Sequence, residues 1–413
     1  MSNDGPTPPP MDGRIAIVMV GLPARGKTFT ARKLARYLGW LGYRAQLFNL
    51  GNYRRERVGA HMPATFFDPD NHEAEAIRDK LAIQALDDML GWLASGGQIG
   101  IYDATNSTAA RRARVRARCE QAGASVLFVE LTCDDAAVIE GNIRETKVTS
   151  PDYENVDPEV AAADFRRRIA NYERAYQTLG NDEASYVKVV DAGRQIVVNR
   201  IEGYIAGRIV QFLVNLHTVP RPIWLTRHGE SLDNTRGVIG GDSSLSDRGR
   251  EFARRLNHFV AVHAPAVMHV WTSTLKRGIE TAWEIRRSFL PIKALDEIDA
   301  GVFDGLTYGQ IEAQRPEEFA ARKGDKLRYR YPRGESYEDV IRRLDPVLTE
   351  IERHREPVLV IGHQAVLRCL YAYLADVPRE QVPYVSVPLH TLVEVFPKAY
   401  GCDEKRHPLG PDA

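Results

Sequence analysis

The chain has 413 residues, enough at roughly 100–200 residues per domain for two domains that each bury a core. Its 55 basic and 55 acidic side chains cancel, so no global field draws it to nucleic acid or to anionic lipid. Four scattered cysteines, Cys119, Cys133, Cys369 and Cys402, form no CxxC pair, and no apolar run reaches the ~18 residues that span a bilayer. These features exclude a disulfide framework and a membrane span, and the expectation is a cytoplasmic protein.

Residues 1–13 are polar and proline-rich and read as a disordered tail. The apolar run Ile15 to Val20 ends at Gly21, and a helical pattern through Leu34, Tyr37 and Leu38 begins near Lys27. Short apolar runs recur at Ala45–Phe48, Gln98–Tyr102, Ser125–Leu131 and Tyr186–Val190, with helical stretches such as Glu73–Ala94 between them. This alternation predicts an α/β domain with a mostly parallel sheet. A long helix is expected over about Gln195–Leu216, and the two prolines of HTVPRP mark a linker at 217–222. The pattern then restarts with candidate strands Ile223–Thr226, His269–Thr272, Pro357–Ile361 and Thr391–Val395. Helices Leu245–His263, Lys276–Ser288 and Ser336–His354 lie between them, so the second half is also α/β. The resulting organisation is a tail (1–13), a first domain (14–216), the linker, a second domain (223–402) and a short tail (403–413).

Residues 21–28 read GLPARGKT, a full Walker A pattern between a strand and a helix. Gly21 and Gly26 let the backbone curl until its N–H groups face a phosphate chain, and the helix dipole adds to them. Lys27 can reach the β- and γ-phosphates, and the Thr28 hydroxyl can hold Mg²⁺. Asp103 follows an apolar run and belongs at the carboxyl end of a neighbouring strand, where it can hold Mg²⁺ through water or assist an acceptor hydroxyl. Arg54, Arg78, Arg111 and Arg168 fall on or near predicted loops and helix starts, and would suit a phosphorylated acceptor if they converge. The ARRARVRAR stretch (110–118) has no interleaved aromatics and reads as a solvated helix face, not a nucleic-acid patch.

The second half carries LTRHGES (225–231) at a strand end. One imidazole nitrogen of His228 can attack phosphorus if a hydrogen bond on the other fixes the tautomer, with Arg227 on the phosphoryl oxygens. His363 ends another apolar strand, and Arg277 opens a helix after a third. A leaving oxygen needs a proton, and LDEIDAG (295–301) offers Glu297, with Asp296 and Asp299 as neighbours that spacing does not separate from it.

Together these strings resemble the bifunctional 6-phosphofructo-2-kinase/fructose-2,6-bisphosphatase family. VGLPARGKT, NLGNYRRE, DATNST, SPDY, RHGES, IGGDSSLS, VWTSTLKR, YRYPRGESYEDV and GHQAVLRCL carry the likeness from about Arg14 to Cys402. The resemblance implies an N-terminal P-loop kinase domain and a C-terminal histidine-phosphatase domain like phosphoglycerate mutase. It implies that Gly21, Leu22, Pro23, Ala24, Arg25, Gly26, Lys27 and Thr28 bind ATP as a substrate with Mg²⁺, helped by Asn142. Asp103 and Cys133 match active-site positions. Arg54, Arg78, Thr105, Arg111, Lys147, Arg168 and Tyr172 match positions that hold fructose 6-phosphate. In the phosphatase, which would need no cofactor, His228 matches the phosphohistidine and Glu297 the proton donor. Arg227, Asn234, Arg277 and His363 match the pocket around the 2-phosphate, and Gly240 is a further substrate-binding position. Tyr308, Arg322, Lys326, Arg330, Tyr337, Gln364 and Arg368 match residues that hold the rest of the sugar. A homodimer through the kinase half is implied as well.

Three segments depart from the family pattern: Phe303-Asp304-Gly305, the residues around Lys147, and Asp68. Two other readings stand beside this one. The first is a kinase of another phosphorylated sugar fused to a broad-specificity histidine phosphatase. The second is a metabolite sensor with degenerate sites, which intact Lys27, Asp103, His228 and Glu297 argue against.

Overall fold

The computed structural model describes residues 13–144, 150–216, 221–398 and 401–410. They fall into two compact units that part between Leu216 and Arg221. Lys147, most of the N-terminal tail and most of the linker lie outside the described residues.

The first unit is built on six strands: β1 (Arg14–Val20), β2 (Ala45–Asn49), β3 (Ile99–Asp103), β4 (Ala124–Thr132), β5 (Tyr186–Val190) and β6 (Gln195–Asn199). Their order is β2-β3-β1-β4-β5-β6, parallel except for β6. Covered on both faces, β1 is apolar at every position from Ile15 onward, the mark of a central parallel strand. Helices such as Lys27–Leu41, His72–Ala94 and Ala109–Gln121 connect the strands. Val18, Val20, Phe48, Met89, Tyr102 and Phe128 belong to one core cluster on this sheet. The chain passes from β1 through β2 to β3 on one side and then crosses to β4 on the other, so a crevice opens at the carboxyl end of β1.

The second unit has β7 (Ile223–Arg227), β8 (His269–Thr272), β9 (Leu290–Pro291), β10 (Val358–Gly362), β11 (Thr391–Pro397) and β12 (Cys402–Pro408). The order is β12-β11-β7-β10-β8-β9, with β7 to β10 parallel and the last two antiparallel. Trp224, Phe252, Leu256, Leu359 and Ile361 fill its core. Because β7 and β10 are neighbours, Arg227, His228 and His363 leave the sheet side by side.

Two sequence expectations need correction. The helix expected over 195–216 is β6 followed by a shorter helix, Tyr204–Asn215. Arg200 (φ 50°) and Gly203 (φ 87°) turn the backbone out of the right-handed range between them. The tail expected from 403 is mostly β12. Its Asp-Glu-Lys-Arg run hides a strand because an edge strand with exposed side chains needs no apolar alternation and gains protection from charge. This segment is tied down: His407 lies 2.9 Å from Glu394, and the Leu409 N–H donates to the His390 carbonyl at 2.8 Å. Deleting residues 402–413 should therefore lower the melting temperature of the second unit by roughly 5–10 °C, at about 2–4 °C per kcal/mol for a domain of this size. Calorimetry of the truncated chain checks this, and an unchanged transition would mean the segment is a tail after all.

Candidate active sites

In the first unit, β1 runs into residues 21–26, which turn through left-handed backbone at Ala24 (φ 59°) and Gly26 (φ 84°). A Cβ on Gly21 would lie 2.3 Å from the Leu131 carbonyl oxygen, so only glycine fits between β1 and β4. Helix Lys27–Leu41 begins at the loop with no side chain capping its first N–H groups. A helix start of this kind is ready for an anion. Lys27 is buried, and its ammonium donates to the Leu22 carbonyl at 2.6 Å, holding it over the loop. Thr28 is half-buried in the same turn. Arg25 donates to the Pro23 carbonyl at 3.2 Å, and Asn142 donates to the Ala24 carbonyl at 3.0 Å.

Asp103 ends β3 beside Asn49 of β2. The Asn49 oxygen caps helix Leu50–Arg57, and its amide donates to Asp103, so a helix cap orients a buried carboxylate. The segment after Asp103 is stitched to the phosphate loop. The Gly21 N–H donates to the Thr105 carbonyl at 3.0 Å, and the fully buried Asn106 donates to the Met19 carbonyl at 2.7 Å. Asn106 was given no role by sequence reasoning, although it stands inside DATNST. Its left-handed φ of 45° was the hidden signal. Cys133 follows β4, and burial pushes its thiol above the usual range, so it stays protonated at neutral pH.

Arg54 and Arg168 converge, from helix interiors and not from loops. Their guanidinium carbons lie 5.6 and 4.6 Å from the Phe67 ring centroid, and Tyr172 packs on the same ring at 6.0 Å. Asp152 accepts from Arg54 on both oxygens at 2.6 Å and lies 3.8 Å from Arg168. Burial opposes its ionisation, but the Arg54 hydrogen bonds and the charges of Arg54, Arg55 and Arg168 win, holding its carboxyl below the usual range. Arg78 stands over Phe66, and Arg111 pairs with Asp79 at 3.3 Å. Arg54 Nη1 and Arg111 Nη2 are buried with no hydrogen-bond partner. Donors of that kind suit an anion that the protein does not supply.

In the second unit, His228 is 3% exposed. Its Nδ1 lies 2.6 Å from the Gly229 carbonyl, which can only accept, so Nδ1 carries the proton and Nε2 the lone pair. The Arg277 Nε donates to that Nε2 at 3.2 Å. Burial, with Arg277 and Arg227 alongside, pushes the imidazole well below its usual range and keeps it neutral. His363 packs against it with ring centroids 4.8 Å apart, bonds Ser273 through Nε2 at 2.8 Å, and has its Nδ1 buried without a partner. The Asn234 oxygen is committed to a capping box with Ser231, which leaves its NH₂ as the available group.

The three candidate acids separate cleanly. Asp296 is tied to Thr274 and Lys293, and the exposed Asp299 accepts from the Gly301 N–H. Glu297 instead faces a pocket of about 310 Å³ and accepts from the Gln364 and Ala365 N–H groups at 3.1 and 3.2 Å. That places its carboxylate at the positive end of helix Gln364–Leu374. Gln364, Tyr308, Arg322, Lys326, Tyr337 and Arg368 line the same pocket. Arg322 donates to the Tyr331 and Tyr308 hydroxyls at 2.7 and 2.8 Å, and Arg368 to Tyr337 at 3.0 Å. Tyr329 and Tyr331 complete the lining and were missed, because single aromatics carry no sequence signal apart from core packing. Arg330 is not part of the lining: it is half-exposed and pairs with Asp339 at 2.6 Å.

The departure at Asp304 has a local purpose. Its carboxylate accepts from the Gly241 N–H at 3.0 Å, and the Gly241 carbonyl accepts from Arg277 at 2.8 Å. A Cβ at Gly240 would lie 1.5 Å from Asp304, so glycine there and aspartate opposite are one device.

The 6-phosphofructo-2-kinase family matches residues 5–220, and the histidine phosphatase superfamily (branch 1) matches residues 223–407. A 6-phosphofructo-2-kinase/fructose-2,6-bisphosphatase of Arabidopsis thaliana is 52% identical over 97% of this chain, which spans 55% of that relative's length. Form 3 of Homo sapiens is 49% identical over 94% of this chain and 75% of its own. The Gallus gallus relative is 48% identical over 94% of this chain and 83% of its own.

Lys326 makes the second pocket sensitive to pH. Burial, followed by the charges of Arg368 and Arg322, lowers it to about 8. Its positive charge is complete well below pH 8 and is lost as pH rises through 8. The KM of a phosphate-bearing ligand should rise at least about tenfold between pH 7 and 9.5, since a charge-assisted hydrogen bond is worth ~1.5 kcal/mol or more. Lys326→Arg should flatten that rise, and a parallel rise in both proteins would refute it.

Proposed function

The chain belongs to the bifunctional 6-phosphofructo-2-kinase/fructose-2,6-bisphosphatase family, and on that premise we propose that it runs two opposed reactions at one sugar oxygen. The first unit transfers the γ-phosphoryl of ATP to O2 of fructose 6-phosphate. The second hydrolyses fructose 2,6-bisphosphate back to fructose 6-phosphate and phosphate. One observation carries the choice of substrate. Glu297 lines one pocket with Arg322, Lys326 and Arg368, and its charge also acts on Arg227 and Arg277 beside His228. That arrangement suits a sugar with one phosphate to lose and a second to be held.

In the kinase reaction, the loop N–H groups and Lys27 bind the triphosphate, while Arg54, Arg78, Arg111 and Arg168 hold the sugar phosphate, Arg54 and Arg111 through buried donors that lack a partner. The hydroxyl of Thr28 and the carboxylate of Asp103 are hard oxygen donors that fit Mg²⁺. When bound, that ion supplies charge neutralisation between the phosphates. In the phosphatase reaction, His228 Nε2 attacks the 2-phosphoryl group while Arg277 and Arg227 take up its charge. Glu297 delivers the proton to the leaving oxygen, and water then releases phosphate from the phosphohistidine. No cofactor is needed for that step.

The same reading makes this a cytoplasmic enzyme and a homodimer through the kinase half, without nucleic-acid or membrane partners. A balanced net charge gives no global field to attract nucleic acid or anionic lipid, and among the described residues no helix is long and apolar enough to cross a membrane. A kinase of another sugar phosphate with a broad-specificity phosphatase would instead show flat substrate profiles.

Both activities should be measured on one preparation. Lys27→Met should cut synthesis roughly 10²–10³-fold and spare hydrolysis. His228→Ala should abolish hydrolysis and spare synthesis. Label from the 2-phosphate should appear on wild-type protein as an acid-labile, base-stable adduct and vanish in His228→Ala. Equal turnover of unrelated sugar phosphates, or hydrolysis that survives His228→Ala, would defeat the assignment.

A further inference from the structure

We propose that His269, His354 and Glu356 form a binding site for a divalent transition metal of the zinc class, away from the His228 site. Among the described residues they are the one set of three His, Cys, Asp or Glu side chains whose ligand atoms all lie within 4.8 Å of one another. The two imidazoles face each other with ring centroids 4.0 Å apart, and His269 Nε2 lies 3.7 Å from Glu356 Oε2.

The backbone beneath them is fixed. His269 opens β8 in register with Val358, the first residue of β10, and its N–H donates to the Pro357 carbonyl at 2.9 Å. Glu356 immediately precedes that proline. His354 ends helix Tyr337–Arg353, and its N–H donates to the Glu350 carbonyl at 3.2 Å. Three ligands thus come from three anchored chain positions, so little ordering entropy is lost when they close on an ion.

The ring of His354 is oriented as a metal-ligating histidine usually is. Its Nε2 lies 3.1 Å from Glu350 Oε1, and a carboxylate there holds the tautomer whose Nδ1 carries the lone pair. Trp271 packs edge-on against the ring at 5.3 Å and provides an apolar wall. All three side chains are only partly buried, so an ion can reach them from solvent. A weak ion pair alone does not account for the set, since an exposed contact at 3.7 Å contributes about 0–1 kcal/mol.

The donor set decides the class of ion. Two imidazoles and a carboxylate suit Zn²⁺, Co²⁺, Ni²⁺ or Cu²⁺, whereas Mg²⁺ and Ca²⁺ favour all-oxygen ligands. Three protein ligands leave a fourth position for water. The site sits where β8 and β10 begin, while His228 and His363 follow the ends of β7 and β10. A strand of five residues puts the two ends roughly 15 Å apart. A bound ion would tie the end of helix Tyr337–Arg353 to two strands without touching the phosphatase centre.

The test uses the full chain stripped of metal with chelator. Titration with Zn²⁺ should show one saturable site that raises the melting temperature of the second unit, and Co²⁺ should give the visible bands of a tetrahedral site. Mg²⁺ should do neither. His269→Ala/His354→Ala should lose the site while keeping phosphatase turnover. Glu350→Gln, which keeps every ligand, should weaken binding by about 10–100-fold. If the double variant does not fold, Glu356→Gln and Glu350→Gln carry the test by their weakened affinity. Zn²⁺ bound with equal affinity by wild type and these variants, or not bound by wild type, overturns the proposal.

Discussion

Burying guanidinium groups beside a place for phosphate is the constraint on which both sites are built. A guanidinium taken out of water costs several kcal/mol unless something pairs with it. Yet Arg54, Arg168 and Arg277 are each less than 8% exposed. The first unit meets that cost with internal carboxylates, Asp152 against Arg54 and Asp164 against Arg168. The second unit meets it differently. Arg277 donates to a neutral imidazole and to the Gly241 carbonyl, and the Arg227 Nε has no partner at all. Burial first, and then the positive field of Arg277 and Arg227, keeps His228 deprotonated. In the proposed reaction, a nucleophile that must carry a lone pair and a pocket that must attract phosphate both follow from burying an imidazole beside these guanidinium groups.

That arrangement needs strand ends. In both sheets the site residues gather at the carboxyl ends of central parallel strands, where side chains leave the core together. In the first unit the loop after β1 uses its own N–H groups, and Gly21 is required because β4 passes too close for any side chain. In the second, β7 and β10 bring His228 and His363 together although 134 residues separate them in sequence. The edge strands β6 and β12 hold none of the site residues named above, whereas β2, also an edge, supplies the Asn49 that orients Asp103.

What was legible in the sequence follows from the same division. The phosphate loop could be read in full because its chemistry is local, eight residues between a strand and a helix. His228 and His363 could be read because each follows an apolar run. Glu297 could not be told from Asp296 and Asp299 by spacing. The choice depends on which carboxylate reaches the start of helix Gln364–Leu374, and that is set by packing. Arg330 stands apart from that pocket lining for the converse reason: Asp339, nine residues on, pairs with it at the surface. Asn106 escaped because a buried left-handed asparagine looks like a turn residue, and β12 escaped because its charges look like a tail.

The position of Glu297 has a consequence for selectivity. Its carboxylate is held by the Ile298, Gln364 and Ala365 N–H groups, so in the proposed reaction it serves an oxygen brought to that fixed point. A phosphate held by Arg322, Lys326 and Arg368 has tyrosines around it and no buried imidazole among its lining. Binding there is therefore unreactive by construction, and in the proposed reaction its energy goes into fixing the sugar so that O2 faces Glu297 and the 2-phosphorus faces His228. On this view the enzyme does not recognise which phosphate to remove. It recognises which phosphate to keep, and the geometry between the two clusters determines the rest.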